Sequence, residues 1–214
     1  MKPLRALVDL VVPPTCASCG SGVPSDAAQR LCPKCCGLLA PLLKEPPRVP
    51  GAAQVLCSWS FEGLLQDLVQ RLKYERELPL ARPLAELLVE CALGWDLEPH
   101  AVVPMPLSRV RQRTRGFDHA WLLAGPVADA LGASRVAALA RDDRLAQVGL
   151  NAEARLENLQ GSFHPGPDAA AVAGRTVLLV DDIITTGATC AEAVAVLRNA
   201  GAASVDVLLL AHAP

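Results

Sequence analysis

The chain has 214 residues, 51% of them hydrophobic and 20% charged, with a formal net charge of -2. That balance suits one α/β domain with a small appendage, and it excludes a global basic coat for nucleic acid or anionic membrane, so any polyanion must be bound locally. The longest apolar stretches, Val177 to Val180 and Val205 to Ala211, fall far short of the roughly 20 residues a membrane-spanning helix requires. No membrane insertion and a cytoplasmic location are expected.

The N-terminal stretch MKPLRALVDLVVPPTC reads as a short amphipathic helix, because Asp9 interrupts its apolar run and Cys16 belongs to a motif and not to a cleavage site. Cys16-x-x-Cys19 and Cys32-x-x-Cys35 follow, separated by twelve residues and accompanied by Gly20, Gly22 and Pro33. Thiolates at this spacing can surround one Zn²⁺ tetrahedrally, and four sulfur ligands leave no position for water, so the metal is expected to be structural. So few large apolar side chains would hardly fold without it. Cys36 competes with Cys35 as the fourth ligand, and a redox dithiol is the weaker alternative. Cys57, Cys91 and Cys190 lie in apolar segments and read as small buried hydrophobes. The proline-rich link Pro41 to Pro50 closes this part, which divides the chain into an N-terminal module, residues 1–50, and a larger domain, residues 51–214.

From Ala53 the pattern becomes α/β. A strand is predicted at Val55 to Ser60, then helices at Glu62 to Tyr74 and Leu80 to Leu93, where Leu64, Leu65, Leu68 and Leu72, then Leu84, Leu87, Leu88 and Cys91 recur at helical spacing. Ala101 to Val103 is a short strand, Ser108 to Arg115 a basic loop, and about Phe117 to Leu131 an alanine-rich helix. Val136 to Ala140 is a strand candidate. Arg141 to Gln160 is too charged for core and reads as a mobile segment with a short helix at Ala152 to Leu159. A strand at Thr176 to Val180, a loop, a helix from Ala188 to Ala200 stopped by Gly201, and a strand at Val205 to Leu210 complete a right-handed βαβ unit.

The segment VLLVDDIITTGAT, Val177 to Thr189, carries the most chemistry. Its apolar start reads as a fully buried parallel strand, and Asp181 and Asp182 arrive at the carboxyl end, the edge of an open parallel sheet where ligands bind. Paired carboxylates there can accept hydrogen bonds from a diol or sit near a metal. Thr185, Thr186, Gly187, Ala188 and Thr189 then open a helix whose free amides, with three hydroxyls and a glycine that admits close approach, make a phosphate cradle. Two acids and three threonines exceed what helix capping needs. Upstream, Arg109, Arg111, Arg113 and Arg115 precede Gly116, which permits the turn into the next helix; guanidinium forks at that strand end suit a second, more highly charged phosphate group.

The segment VLLVDDIITTGAT resembles the binding motif for phosphoribosyl pyrophosphate (PRPP) in type I phosphoribosyltransferases. The resemblance implies their fold, a mostly parallel sheet flanked by helices, here with a small zinc-ribbon-like module at the N-terminus. It implies that Asp181 and Asp182 hold the ribose hydroxyls and that Thr185 to Thr189 hold the 5-phosphate. VPMPLSRVRQRTRGF is similar to one branch, the ComF family of competence-associated proteins, in which Arg109, Arg113, Arg115 and Gly116 would meet the pyrophosphate. Asp118-His119 stands where that branch commonly has Asn-Gln. Arg144, Gln147, Arg155, Asn158, Gly161 and Phe163 match the same branch's closing segment, with Arg144 or Arg155 expected to shut the site. Leu72-Lys73-Tyr74 resembles its L-K-Y stretch, with Glu75-Arg76-Glu77 where a glycine usually follows; Lys73 either faces the ligand or, on the preferred reading, is a solvated helix end.

The implied activity is a Mg²⁺-dependent phosphoribosyl transfer from PRPP, with Asp181, Asp182 and Arg115 carrying catalysis and the acceptor open. The alternative is a non-catalytic PRPP- or nucleotide-responsive protein of DNA uptake, with single-stranded DNA or a competence helicase-type protein as partner. Aromatic residues make up only 3% of the chain, so no stacking platform for a nucleobase is evident.

Overall fold

The computed structural model describes residues 14–24, 30–95, 97–143 and 161–213. In chain order these form α1 (Pro33–Cys36), β1 (Val55–Ser60), α2 (Gly63–Gln70), a π-helical turn (Arg71–Glu75), a 3-10 turn (Leu78–Leu80), α3 (Ala81–Leu93), β2 (Ala101–Pro104), α4 (Arg109–Arg115), α5 (His119–Leu131), β3 (Ser134–Arg135), β4 (Leu139–Arg141), β5 (Phe163–Pro165), a 3-10 turn (Ala169–Val172), β6 (Thr176–Ile184), α6 (Ala188–Asn199) and β7 (Ser204–His212). The expected N-terminal helix and the helix at Ala152 to Leu159 lie outside the described residues.

Five parallel strands make one sheet in the order β1-β7-β6-β2-β3. β6 is central, with Val177 beside Val205 of β7 on one side and Ala101 of β2 on the other. Successive side chains of a strand point to opposite faces, and β6 uses both. Leu178 and Val180 pack in one cluster with Leu84, Leu88 and Leu123 of α3 and α5. Val177 and Leu179 pack in the other with Ala193, Val194 and Leu197 of α6. This is the three-layer, doubly covered parallel sheet expected from the all-apolar strand. β4 and β5 form a separate antiparallel pair.

The N-terminal module is built into this core. Cys16, Val23, Leu31, Cys35 and Leu39 belong to the same apolar cluster as Leu65 and Leu72. The link then follows the edge strand: Pro41 bridges Trp59, and Leu42 N–H donates to the Ser58 carbonyl at 2.9 Å.

Several boundaries differ from expectation. The basic stretch after β2 is a helix and not a loop: Ser108 Oγ accepts from Arg111 N–H at 3.4 Å to start it, and Gly116 ends it at φ 83°. α4 buries no residue, so it carries no apolar stripe by which periodicity could reveal it. β6 continues four residues beyond Val180, because β7 pairs alongside as far as Ile184 with His212. Asp181 and Asp182 are therefore strand residues. In place of the expected strand at Val136 to Ala140, β3 ends at Arg135 and β4 begins only at Leu139. Asp168 Oδ2 accepts the Ala137 N–H at 2.9 Å, and the Ala138 carbonyl accepts from Gly166 N–H at 2.9 Å, which turns the chain out of the sheet. The first long helix passes into a π-helical turn after Gln70 and ends at Arg76, whose φ of 59° is left-handed.

Candidate active site

The alternation of β6 sends Asp182 toward the α5 face and Asp181 toward the α6 face, so the two carboxylates straddle the end of the central strand. Asp182 is 5% exposed. Its Oδ2 is paired with the Lys73 ammonium, and its Oδ1 lies 3.5 Å from His119 Nε2. His119 Nδ1 lies 2.7 Å from Arg115 Nη1. A guanidinium has only donors, so Nδ1 accepts, the ring's proton sits on Nε2, and that N–H faces Asp182. Burial opposes ionisation of Asp182, but the Lys73 charge and His119 outweigh it and hold the carboxyl well below the usual carboxylate range. Burial, and then the charge of Asp182, push Asp181 the other way. The pair is thus poised as one firm carboxylate and one reluctant neighbour.

Of the two expectations for Lys73, the one that turns it toward the ligand site fits, since it lines the cleft. It is not a solvated helix end: the π-helical turn inserts it, with its side chain 14% exposed, onto Asp182. His119 was visible only as a departure from a family pattern, and its contact with a residue 63 positions later has no local signature.

Beyond Ile184 the chain turns through Thr185, Thr186 and Gly187 into α6. Gly187 is its N-cap at φ 80°, a conformation that favours glycine. A Cβ there would meet Val49 Cγ2 at 3.3 Å, so the proline-rich link buttresses this turn from behind. Thr186 Oγ1 accepts from Ala188 N–H at 3.4 Å. Thr185, Thr189 and the first-turn residues of α6 line the same cleft, which is also lined by both aspartates and has a volume of about 800 Å³.

The basic wall is sorted by the helix. At about 100° per residue, Arg111 and Arg115 share one side of α4 and line the cleft. Arg109 and Arg113 share the other side, exposed, and with Gly116 they are not among the residues lining the cleft. Arg141, at the end of β4, joins the wall; its guanidinium lies 4.8 Å from the Phe163 ring centroid, and burial, then the Arg111 charge, draw its pKa down. Nothing in the sequence signalled Arg141, which stands at the edge of a charged stretch. Arg144, Gln147, Arg155 and Asn158, the closing-segment candidates, lie outside the described residues.

Among the described residues, two donor sets bear on metal. The Sγ atoms of Cys16, Cys19, Cys32 and Cys35 lie within 4.8 Å of one another. A zinc tetrahedron with arms of ~2.3 Å has edges of about 3.8 Å, and Cys19 and Cys32 Sγ are 3.7 Å apart. Cys32 N–H points at Cys16 Sγ at 3.3 Å. The set fits Zn²⁺. Cys36 is turned away, its Sγ 3.8 Å from the Leu31 carbonyl. His119, Asp181 and Asp182 also lie within 4.8 Å of one another, but they do not fit a bare divalent cation. Nε2 of His119 carries the proton, and Asp182 Oδ2 already faces an ammonium.

The phosphoribosyl transferase domain model matches residues 119–214, from the start of α5 through the carboxylates and the cradle. DNA utilization protein YhgH of Salmonella typhimurium is 34% identical over 216 residues, covering 91% of this chain and 88% of that protein. Competence protein F of Haemophilus influenzae is 33% identical over 156 residues, covering 70% of this chain and 68% of that protein. The chain belongs to the ComF family. Among solved structures, the allosteric regulatory enzyme of purine biosynthesis aligns with 61% of this chain and 26% of its own at 22% identity and a TM-score of 0.45. No helix among the described residues of this ComF-family chain is long and apolar enough to cross a membrane.

Purified protein is expected to contain one zinc per chain by elemental analysis. Cys32→Ser should lose the metal and lower the melting temperature, because the module's apolar residues share the core of α2; full thermal stability without zinc would contradict this. Asp181 gives a second test. The folded state holds its proton more tightly than the unfolded chain, whose carboxyl titrates near about 4. The stability it contributes is therefore whole below that value and is lost as pH rises through the folded pKa. In urea melts from about pH 5 to pH 8, Asp181→Asn should gain stability on the wild type as pH rises; a constant difference would contradict the shift.

Proposed function

We propose that this ComF-family protein binds PRPP in the cleft and transfers its phosphoribosyl group to an acceptor with release of pyrophosphate. One observation carries the reading: two carboxylates straddling the end of a central parallel strand, continuous with an α6 N-terminus that offers amides and threonine hydroxyls. A ribose 5-phosphate spans that arrangement, its hydroxyls on Asp181 and Asp182 and its phosphate on Thr185, Thr186, Gly187, Ala188 and Thr189.

The acceptor's lone pair forms a bond to the anomeric carbon as the bond to pyrophosphate breaks, the electron pair leaves with pyrophosphate, and the acceptor's proton passes to solvent. Arg115, with Arg111 and Arg141, sits where negative charge grows on the leaving group. Asp182 favours the positive charge that develops on the ribose ring, and the fixed geometry supplies orientation. Mg²⁺ finds no ready protein site at the carboxylates, and its expected role rests on the donor's own phosphates.

The names of the relatives, competence protein F and DNA utilization protein, support a role in the use of DNA taken up by the cell, with single-stranded DNA or a helicase-type competence protein as partner. In the cytoplasm such a protein would meet both PRPP and incoming strands.

Calorimetric titration with PRPP and a pyrophosphate-release assay over a panel of nucleobases test the proposal. Asp182→Asn should weaken PRPP binding at least about tenfold, as expected for loss of one charged hydrogen-bonding partner. Arg115→Ala should lower turnover on the order of 100-fold. Unchanged affinity in Asp182→Asn would refute the donor site. Tight PRPP binding without turnover under any acceptor would establish the non-catalytic, ligand-responsive reading instead.

A further inference from the structure

The β4–β5 pair stands apart from the five-stranded sheet: among the described residues no ladder joins the two. Yet Arg141, the last residue of β4, lines the cleft with Arg111 and Asp181. Its placement therefore comes from contacts other than pairing with the main sheet. Within the pair, Arg141 stands directly across from Phe163, and Asp142 N–H donates to the Ser162 carbonyl at 2.9 Å. Residues opposed in an antiparallel pair present their side chains on one face, which brings the Arg141 guanidinium to 4.8 Å from the Phe163 ring centroid. The ring is buried in one cluster with Ala193, Val194 and Leu197 of α6.

Glu192 fastens this pair to α6. Its Oε1 accepts from Ser162 N–H at 2.5 Å and from Phe163 N–H at 3.2 Å, and its Oε2 accepts from the Ser162 hydroxyl at 3.2 Å. Two successive amides converging on one carboxylate oxygen make a charge-assisted grip. Ser162 is buried, so its donors depend on this acceptor, and leaving them unpaired would be costly. Glu192 stands one helical turn beyond Ala188, on the helix whose first turn belongs to the phosphate cradle. One carboxylate thus joins the cradle helix to the strand pair that carries Arg141. Glu192 is not itself among the residues lining the cleft, so it reaches the ligand only through Phe163 and Arg141. Its charge also bears on Arg141, together with those of Arg111 and Asp181, and reach must be told apart from charge.

We propose that Glu192 is a positioning residue: by its grip on Ser162 and Phe163 it sets the reach of Arg141 over the cleft, and with it the spacing between the 5-phosphate cradle and the arginine wall that receives pyrophosphate. This rests on the donor site proposed above. It gives the separate strand pair a task in that site, which is to carry one guanidinium to a fixed distance from α6.

Full-length, zinc-loaded protein titrated calorimetrically with inorganic pyrophosphate and, separately, with ribose 5-phosphate tests this. Glu192→Asp keeps the charge but draws the carboxylate back by one methylene. Glu192→Gln removes the charge but keeps the reach, its carbonyl oxygen accepting both amides and its NH₂ group donating to the Ser162 hydroxyl. Glu192→Asp should weaken pyrophosphate binding on the order of tenfold, as for the loss of one charged partner, with ribose 5-phosphate affinity and zinc content unchanged. Glu192→Gln should bind both probes as the wild type does. Added to Arg141→Ala, Glu192→Asp should cause no further loss, since both changes act on one contact. A loss of pyrophosphate affinity in Glu192→Gln, or none in Glu192→Asp, overturns the proposal. So does a loss of ribose 5-phosphate affinity in step with pyrophosphate, the mark of a merely structural glutamate. A wild type that binds neither probe removes the donor site, and the positioning role with it.

Discussion

A carboxylate buried at the end of a central strand is the constraint around which this molecule is arranged. Asp182 is nearly sealed from water, and an unpaired charge in that position would be strongly destabilising. Its charge is tolerated because Lys73 arrives from the π-helical turn and His119 from the first residue of α5. His119 is in turn oriented by Arg115 at the end of α4. Three segments, the π-helical turn, α5 and α4, thus converge on the end of β6. The convergence positions the basic wall and the tyrosine-bearing turn relative to the strand, so the electrostatic solution to one buried charge also builds the cleft.

The same strand explains why the site has two unlike halves. Alternation of side chains gives Asp181 to one face and Asp182 to the other, and each face is covered by different helices. The α6 face supplies amides and hydroxyls suited to a phosphate monoester. The α5 face supplies guanidinium groups and an ammonium, suited to a more highly charged group. The proline-rich link joins the zinc module to this plan: its Val49 packs behind Gly187, and the module's own apolar side chains enter the core beneath α2. The module is thus part of the support of the domain and not a separate bead on a string.

What could be seen in the sequence was what is contiguous in the chain. VLLVDDIITTGAT spells strand, carboxylates and cradle in order, and the cysteine pairs carry their spacing with them. Non-local contacts could not be seen. Lys73 and His119 acquire their roles from neighbours dozens of positions away, and Arg141 reaches the cleft through a two-strand pairing that no periodicity announces. The arginines were noticed as a group, but only the helical form of α4 separates Arg111 and Arg115 from Arg109 and Arg113. That helix was missed because it buries nothing, and hydrophobic periodicity is blind to an element without an apolar face. The start of β6 at Thr176 is as expected, but its carboxyl end is not: acidic residues suggest a strand end, whereas pairing with β7 carries the strand onward to Ile184.

The central claim is that the straddling carboxylates and the α6 N-terminus form one site for a ribose 5-phosphate, and a crystal structure with PRPP bound tests it most directly. The 5-phosphate is expected on the amides and hydroxyls of Thr185 to Thr189, the ribose hydroxyls on Asp181 and Asp182, and the pyrophosphate against Arg115. PRPP bound with its 5-phosphate away from α6, or with Asp182 still paired only to Lys73 and untouched by the sugar, would contradict it.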